Sequence, residues 1–188
     1  MSKLQVDQLS KTSAGADTFV LPAADGTVGQ YVKTDGSGAL SFGTPSGGKV
    51  LQVVSATYDT ETSTTGGAFI DSGLNLSITP SAASSKVFVM MFVKTTGQAA
   101  SSYYTGKVGL QLIKDSSIIL GPWNTGISGT GTSAAVMQMQ NWNTITYLDS
   151  PSTTSSTNYK LQFKNTNQQA WIQADGETSV ITLMEVGA

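Results

Sequence analysis

The sequence predicts an all-β protein: an antiparallel, jelly-roll-like β-sandwich over residues 49–188, preceded by an extended amino-terminal segment that carries one β-hairpin. Three observations predict it. From Lys49 onward, apolar or alternating runs recur about every eight to twelve residues, separated by Gly, Ser, Thr and Asn clusters, which is the spacing of sandwich or barrel strands. No stretch demands a helix. Residues 1–48, by contrast, interrupt every apolar run with Gly, Ser, Thr or Asp, so the pattern changes near residue 48. A chain of 188 residues has room for one core and an appendage.

The first 48 residues should not fold alone. Their apolar side chains stand singly or in short groups, from Leu4, Val6 and Leu9 through Phe19, Val20 and Leu21 to Leu40 and Phe42. Full burial of such a side chain contributes roughly 1.5–3 kcal/mol, whereas ordering the backbone costs roughly 1–2 kcal/mol for every residue. The segment is therefore either disordered or ordered against other chains. Within it, Gly29-Gln30-Tyr31-Val32-Lys33-Thr34 and Ala39-Leu40-Ser41-Phe42 flank Asp35-Gly36-Ser37-Gly38, whose glycines supply the positive φ of a tight hairpin. Asp35 reads as a turn residue, because the spaced carboxylates of a calcium loop are missing.

In the remainder, strands are expected near 50–58, 67–70, 73–79, 86–94, 107–114, 117–121, 134–140, 143–148, 158–164, 169–173 and 179–186. Tyr159, Leu161 and Phe163 alternate with Asn158, Lys160, Gln162 and Lys164, giving a strand with one packed and one wet face. Residues 87–93 are apolar on both faces, as a strand is when its own core lies on one side and another body on the other. That body is a neighbouring subunit or the chain's own loops, and the subunit reading makes Phe88, Met90 and Phe92 candidate oligomer contacts. The closing run, residues 179–186, should tie the carboxyl end into a sheet.

Composition removes most chemistry. The chain has no His and no Cys, which excludes Cys/His nucleophile chemistry, Ser-His-Asp triads, structural zinc sites and disulfides. No cofactor or metal site is expected. All ten basic residues are Lys, only 12% of residues are charged and the net charge is -2, a poor match to nucleic acid, which favours the arginine fork. No run is long enough for a membrane span, and the amino terminus lacks the layout of a secretory signal, so synthesis in a cytosol is expected. Paired carboxylates could cleave glycosides; Asp59, Glu61 and Asp149 sit among turn residues instead, so no catalytic residue is assigned. Tyr103, Tyr104, Trp123 and Asn124 are the candidate ligand contacts, aromatic rings beside Gly, Ser and Asn that could stack on a sugar. Gly121-Pro122-Trp123-Asn124-Thr125-Gly126 reads as a surface loop and residues 126–133 as a long glycine and Ser/Thr loop. Trp142 and Trp171 read as caps of the core or of a subunit seam.

The segments Ser72-Gly73-Leu74-Asn75-Leu76-Ser77-Ile78-Thr79-Pro80-Ser81, Ser84-Ser85-Lys86-Val87-Phe88-Val89, Leu148-Asp149-Ser150-Pro151-Ser152-Thr153 and Ile181-Thr182-Leu183-Met184-Glu185-Val186 resemble a head module of tail-fibre and related virion proteins of tailed bacteriophages. Leu21-Pro22-Ala23-Ala24-Asp25-Gly26 and Val32-Lys33-Thr34-Asp35-Gly36-Ser37-Gly38 resemble the shaft hairpin that precedes such heads. The resemblance implies a homotrimer located on the virion: residues 1–20 dock on other virion proteins through Leu4, Val6 and Leu9, residues 21–48 form a neck, and residues 49–188 form a head facing a host-surface glycan or protein. A capsid decoration, a baseplate piece without a receptor, or a small glycan-degrading enzyme are the alternatives. The resemblance brings no catalytic motif.

Overall fold

A computed structural model describes residues 7–10, 18–44, 49–99, 103–130, 137–166 and 168–187. The chain divides into two compact units, Met1–Gly48 and Lys49–Ala188. Its regular structure is strand, apart from one 3-10 turn at Ala174–Gly176, among the described residues.

In the first unit, β1 (Gln8–Ser10) pairs antiparallel with β2 (Thr18–Val20), and β3 (Tyr31–Thr34) with β4 (Leu40–Gly43). The β3–β4 turn closes on Asp35, whose Oδ1 accepts from the N–H groups of Ser37 at 2.8 Å and Ala39 at 3.1 Å. Gly36 and Gly38 supply the positive φ it needs. Gly38 also lies so close to the Thr18 carbonyl that a Cβ would meet it. Phe19, Val20, Val28, Tyr31 and Val32 are all exposed, and no described residue of this unit belongs to the buried apolar cluster. Leu4 and Val6 lie outside the described residues; of Leu9 only the backbone is described, in β1.

The second unit is an antiparallel sandwich. One sheet runs β10 (Ser117–Thr130), β9 (Tyr103–Lys114), β12 (Thr157–Asn165), β7 (Ile70–Ile78). In the other, β8 (Lys86–Ala99) pairs along its length with β11 (Met137–Asp149). On its far side β8 pairs first with β14 (Ser179–Val186) and then with β13 (Ala170–Ile172). These two serve as one interrupted strand. Beyond them lie β5 (Val50–Tyr58) beside β14 and β6 (Thr62–Thr64) beside β13. The chain passes from β5 and β6 to β7 in the opposite sheet, back to β8, across to the β9–β10 hairpin, back to β11, across to β12 and home to β13 and β14. That alternating path, with first and last strands neighbours, is a jelly roll.

Period-two alternation builds the core. Val87, Val89, Met91 and Val93 of β8 with Ile181 and Leu183 of β14 face Leu110 and Leu112 of β9 and Tyr159, Leu161 and Phe163 of β12, and all are fully buried. Several strand assignments differ from the sequence expectation; among them, β6 is not an expected strand, β8 runs on to Ala99 and β9 begins at Tyr103. Residues 67–70 and 73–79 read as two strands, but Ile70–Ile78 is one, bulged at Gly73, where φ is 84° and the Tyr58 ring occupies the space of a Cβ. Residues 137–140 of the expected strand 134–140 and residues 143–148 likewise merge into β11. The segment expected as loops at 121–133 is strand to Thr130: β10 is an edge strand with register shifts around Leu120, and edges and bulges tolerate the Gly and Pro that read as a turn. Residues 131–136 lie outside the described residues.

Glu185 continues the inward alternation of β14 and is fully buried. Its Oε1 accepts from Ser81 N–H at 2.7 Å and Ser81 Oγ at 2.6 Å, its Oε2 from Gln52 Nε2 at 2.7 Å. Gln52 also donates to Thr79 O, so the carboxylate clasps β5, β14 and the β7–β8 connection. Burial alone would raise its pKa, but the donors from Ser81 and Gln52 outweigh burial and hold it at about 2. The ordinary value of 4.5 applies to the unfolded chain. This stabilisation is therefore complete above about pH 4.5 and is lost as pH falls toward 2. Glu185→Gln sets an amide NH₂ against a donor and should cost about 2 kcal/mol near neutral pH. Its acid unfolding, followed by circular dichroism, should also be shallower between about pH 5 and 2; equal slopes in both chains would exclude Glu185 from the acid transition.

Candidate functional site

The two outer faces of the sandwich differ in chemistry. On the β10-β9-β12-β7 sheet, outward side chains bond to one another. Lys160 Nζ donates to Asp71 Oδ2 at 2.9 Å, Gln162 Nε2 to Asp71 Oδ1 at 2.6 Å, and Gln111 Nε2 to Gln162 Oε1 at 2.7 Å. Burial acts to raise the Asp71 carboxyl, but the Lys160 and Gln162 donors prevail and it lies below its usual value. Asn158 Nδ2 reaches Ser77 Oγ at 3.0 Å. Such a face is at home in water.

The face of the other sheet is its opposite. Because 87, 89, 91 and 93 point into the core, Phe88, Met90 and Phe92 point out, and strand register sets each in a row across four strands. Leu148, Phe88, Met184 and Val53 form one row; Thr146, Met90, Thr182 and Ser55 the next; Thr144, Phe92, Val180 and Thr57 the third. None of these twelve positions carries a charge. Val53, Met90, Phe92 and Leu148 are exposed, and Trp142, 47% exposed, lies stacked on Phe92 with ring centroids 4.7 Å apart. Polar groups in the rows answer one another, as Ser55 Oγ does Thr182 Oγ1 at 3.1 Å. At the upper border Lys94, an outward cation, is covered by the 3-10 turn and paired with Asp175 at 3.3 Å and Glu177 at 3.6 Å.

The expected ligand contacts are dispersed. Tyr103 and Tyr104 open β9, opposite Thr130 and Gly129; their side chains lie outside the described residues. Trp123 does not stand on a loop. It lies in β10 opposite Leu110, half-buried over Gly121 and packed against the core, because the bulges of β10 turn its ring onto the sandwich. Asn124, its neighbour, is exposed beside Gly109. Trp142 lies on the uncharged face rather than capping the core. The carboxylate of Asp149, expected to begin a turn, ends β11 almost fully buried and accepts from Tyr159 Oη at 2.7 Å and Lys114 Nζ at 3.0 Å. Burial and the Asp149 carboxylate push the Tyr159 hydroxyl far up, so it remains a donor.

Sequence reasoning missed one grouping. Trp171 of β13 lines a pocket of about 100 Å³ with Glu61, Thr96, Gln138, Ala174 and Asp175. These come from four separate stretches of chain, and the only local signal is Trp171 beside Gln168 and Gln169. No cluster of three or more Asp or Glu able to hold a metal ion exists among the described residues. No family model matches the chain, and no curated protein matches it.

Proposed function

We propose that the chain is a structural fibre or spike protein of a tailed bacteriophage virion, a homotrimer that docks by its amino-terminal unit and presents the sandwich to the host surface. The observation that carries this reading is the set of three uncharged rows on the outer face of the β5-β14-β8-β11 sheet, between Lys86 and Lys94 of β8. Large apolar patches on a protein surface mark interaction sites, and three consecutive four-residue rows without a charge resemble an interior cut open. The occupant is a second and third copy of this chain. A face of apolar and hydroxyl side chains with no charge to match is complementary to itself, whereas a charged partner would leave its own groups unpaired. The amino-terminal unit supports the same assembly, since Phe19, Val20, Tyr31 and Val32 lie exposed there and no described residue of the unit joins the buried apolar cluster. The likeness of the head and hairpin segments to fibre modules supplies the threefold count and the virion. The head then serves for attachment, with a cell-surface glycan as the receptor class.

Light scattering on the purified chain tests the assembly. The expected mass is that of three 19.5 kDa chains, retained when residues 1–48 are removed, because the uncharged face belongs entirely to the second unit. A monomer in both forms, at concentrations up to the micromolar range, would refute the trimer.

A further inference from the structure

We infer that the pocket beside Trp171 binds a single neutral saccharide unit, an inference that rests on the attachment reading above and assigns the glycan contact to residues other than the Trp123 and Asn124 pair.

The pocket lies on the same face as the uncharged rows but beyond their border. Trp171 and Thr96 are register partners, and Thr96 stands four residues past Phe92, about 13 Å along the strand. Its lining offers the two elements of sugar recognition: a ring surface and hydrogen-bonding groups left open. Trp171 is half-buried and lines the pocket. Thr96 is 2% exposed, and its hydroxyl, closed to solvent in the single chain, has no hydrogen-bond partner among the described residues. A buried polar group without a partner is uncommon and costs about 1–3 kcal/mol, so a small shift of the pocket wall that brings a ligand hydroxyl or water to it is favoured. Glu61 and Gln138 are exposed at the rim and bond to no other side chain among the described residues. Asp175 Oδ2 is taken by Lys94 Nζ at 3.3 Å and Gln140 Nε2 at 2.9 Å, which fix the carboxylate and leave Oδ1 open.

Charge and size set the class. Lys94 is engaged by Asp175 and Glu177, which leaves Glu61 as an uncompensated carboxylate at the rim. Two carboxylates accept from sugar hydroxyls but repel a uronate or sialate. A volume of about 100 Å³ open to solvent takes part of one pyranose ring, with the rest of a glycan outside.

The test is titration of the intact chain with methyl glucoside, methyl galactoside, methyl mannoside and N-acetylglucosamine, with glucuronate as the acidic comparison, read by tryptophan fluorescence and saturation-transfer NMR. At least one neutral sugar should bind with a Kd of about 1 mM, the range of a single weakly held unit, and glucuronate about tenfold more weakly or not at all. Trp171→Ala and Glu61→Gln should each weaken the neutral sugar about tenfold, and Asn124→Ala should not. Glu61 is exposed, so its substitution probes the pocket independently of any folding defect in Trp171→Ala. Failure of every neutral sugar to bind, or full-strength binding in either variant, overturns the site. Light-scattering mass is read on the same samples: an unchanged trimer without sugar binding condemns this pocket alone, whereas a monomer that binds sugar condemns the fibre reading alone.

Discussion

Phe92→Asp should convert the proposed trimer to folded monomers. Phe92 is 44% exposed in the single chain, so the new carboxylate remains in water while the protomer is alone, and its inward neighbours Met91 and Val93 keep the core intact. Assembly would bury that carboxylate against an uncharged surface, and an unpaired buried ion costs several kcal/mol. In the proposed trimer each of three interfaces would carry the penalty. Loss of the Trp142 stack at 4.7 Å removes a contact within the chain, on its exposed face, and should cost the protomer only about 0.5–1.5 kcal/mol. Phe88→Asp acts on the same face but at a half-buried position between Leu148 and Met184, so it should also lower the stability of the protomer. The pair separates association from folding. Light scattering reports mass and circular dichroism reports fold. A Phe92→Asp chain that keeps the trimer mass would place the subunit contact elsewhere.

How far the sequence reached depends on how local each signal is. The alternation in Asn158–Lys164 and the apolar pair of faces in residues 87–93 are properties of single strands, and both are present: Tyr159, Leu161 and Phe163 are buried between polar neighbours, and Val87, Val89, Met91 and Val93 are core while Phe88, Met90 and Phe92 face outward. The segment at 121–130 misled because Gly121, Pro122 and Gly126 carry turn chemistry in an edge strand that absorbs Gly121 and Pro122 in a register shift and pairs Gly126 with Lys107. Trp123 illustrates the consequence, since a ring expected on a loop is packed on the core. The Trp171 pocket was beyond local reading altogether. Glu61, Thr96, Gln138 and Asp175 meet only because β13 is laid against the second half of β8, a pairing set by the jelly-roll path and visible in no short stretch of sequence. Asp149 shows the same limit from the other side: it ends a strand before Ser150-Pro151, as a turn residue would, yet its partners Lys114 and Tyr159 are set by the opposite sheet.

That carboxylate carries the second large effect. Asp149 joins β11 of one sheet to β9 and β12 of the other, through Lys114 at 3.0 Å and the fully buried Tyr159 hydroxyl at 2.7 Å. Asp149→Ala leaves the hydroxyl of Tyr159 without its acceptor inside the sandwich and Lys114 without its counter-charge. Breaking such a buried pair costs about 3 kcal/mol, toward the lower end of the usual range because Lys114 can turn to solvent. For a chain of this length the melting temperature should fall by about 6–12 °C. Tyr159→Phe, which removes only the donor and leaves the ion pair, should cost about 1–2 kcal/mol. In the double variant the two losses should not add, since both remove the same bond. Thermal unfolding must be compared at one protomer concentration, because association would raise the apparent stability of all forms by mass action. Simple additivity, or a loss under about 1 kcal/mol in Asp149→Ala, would mean that the two sheets are held by their apolar core alone and that the carboxylate is merely accommodated between them.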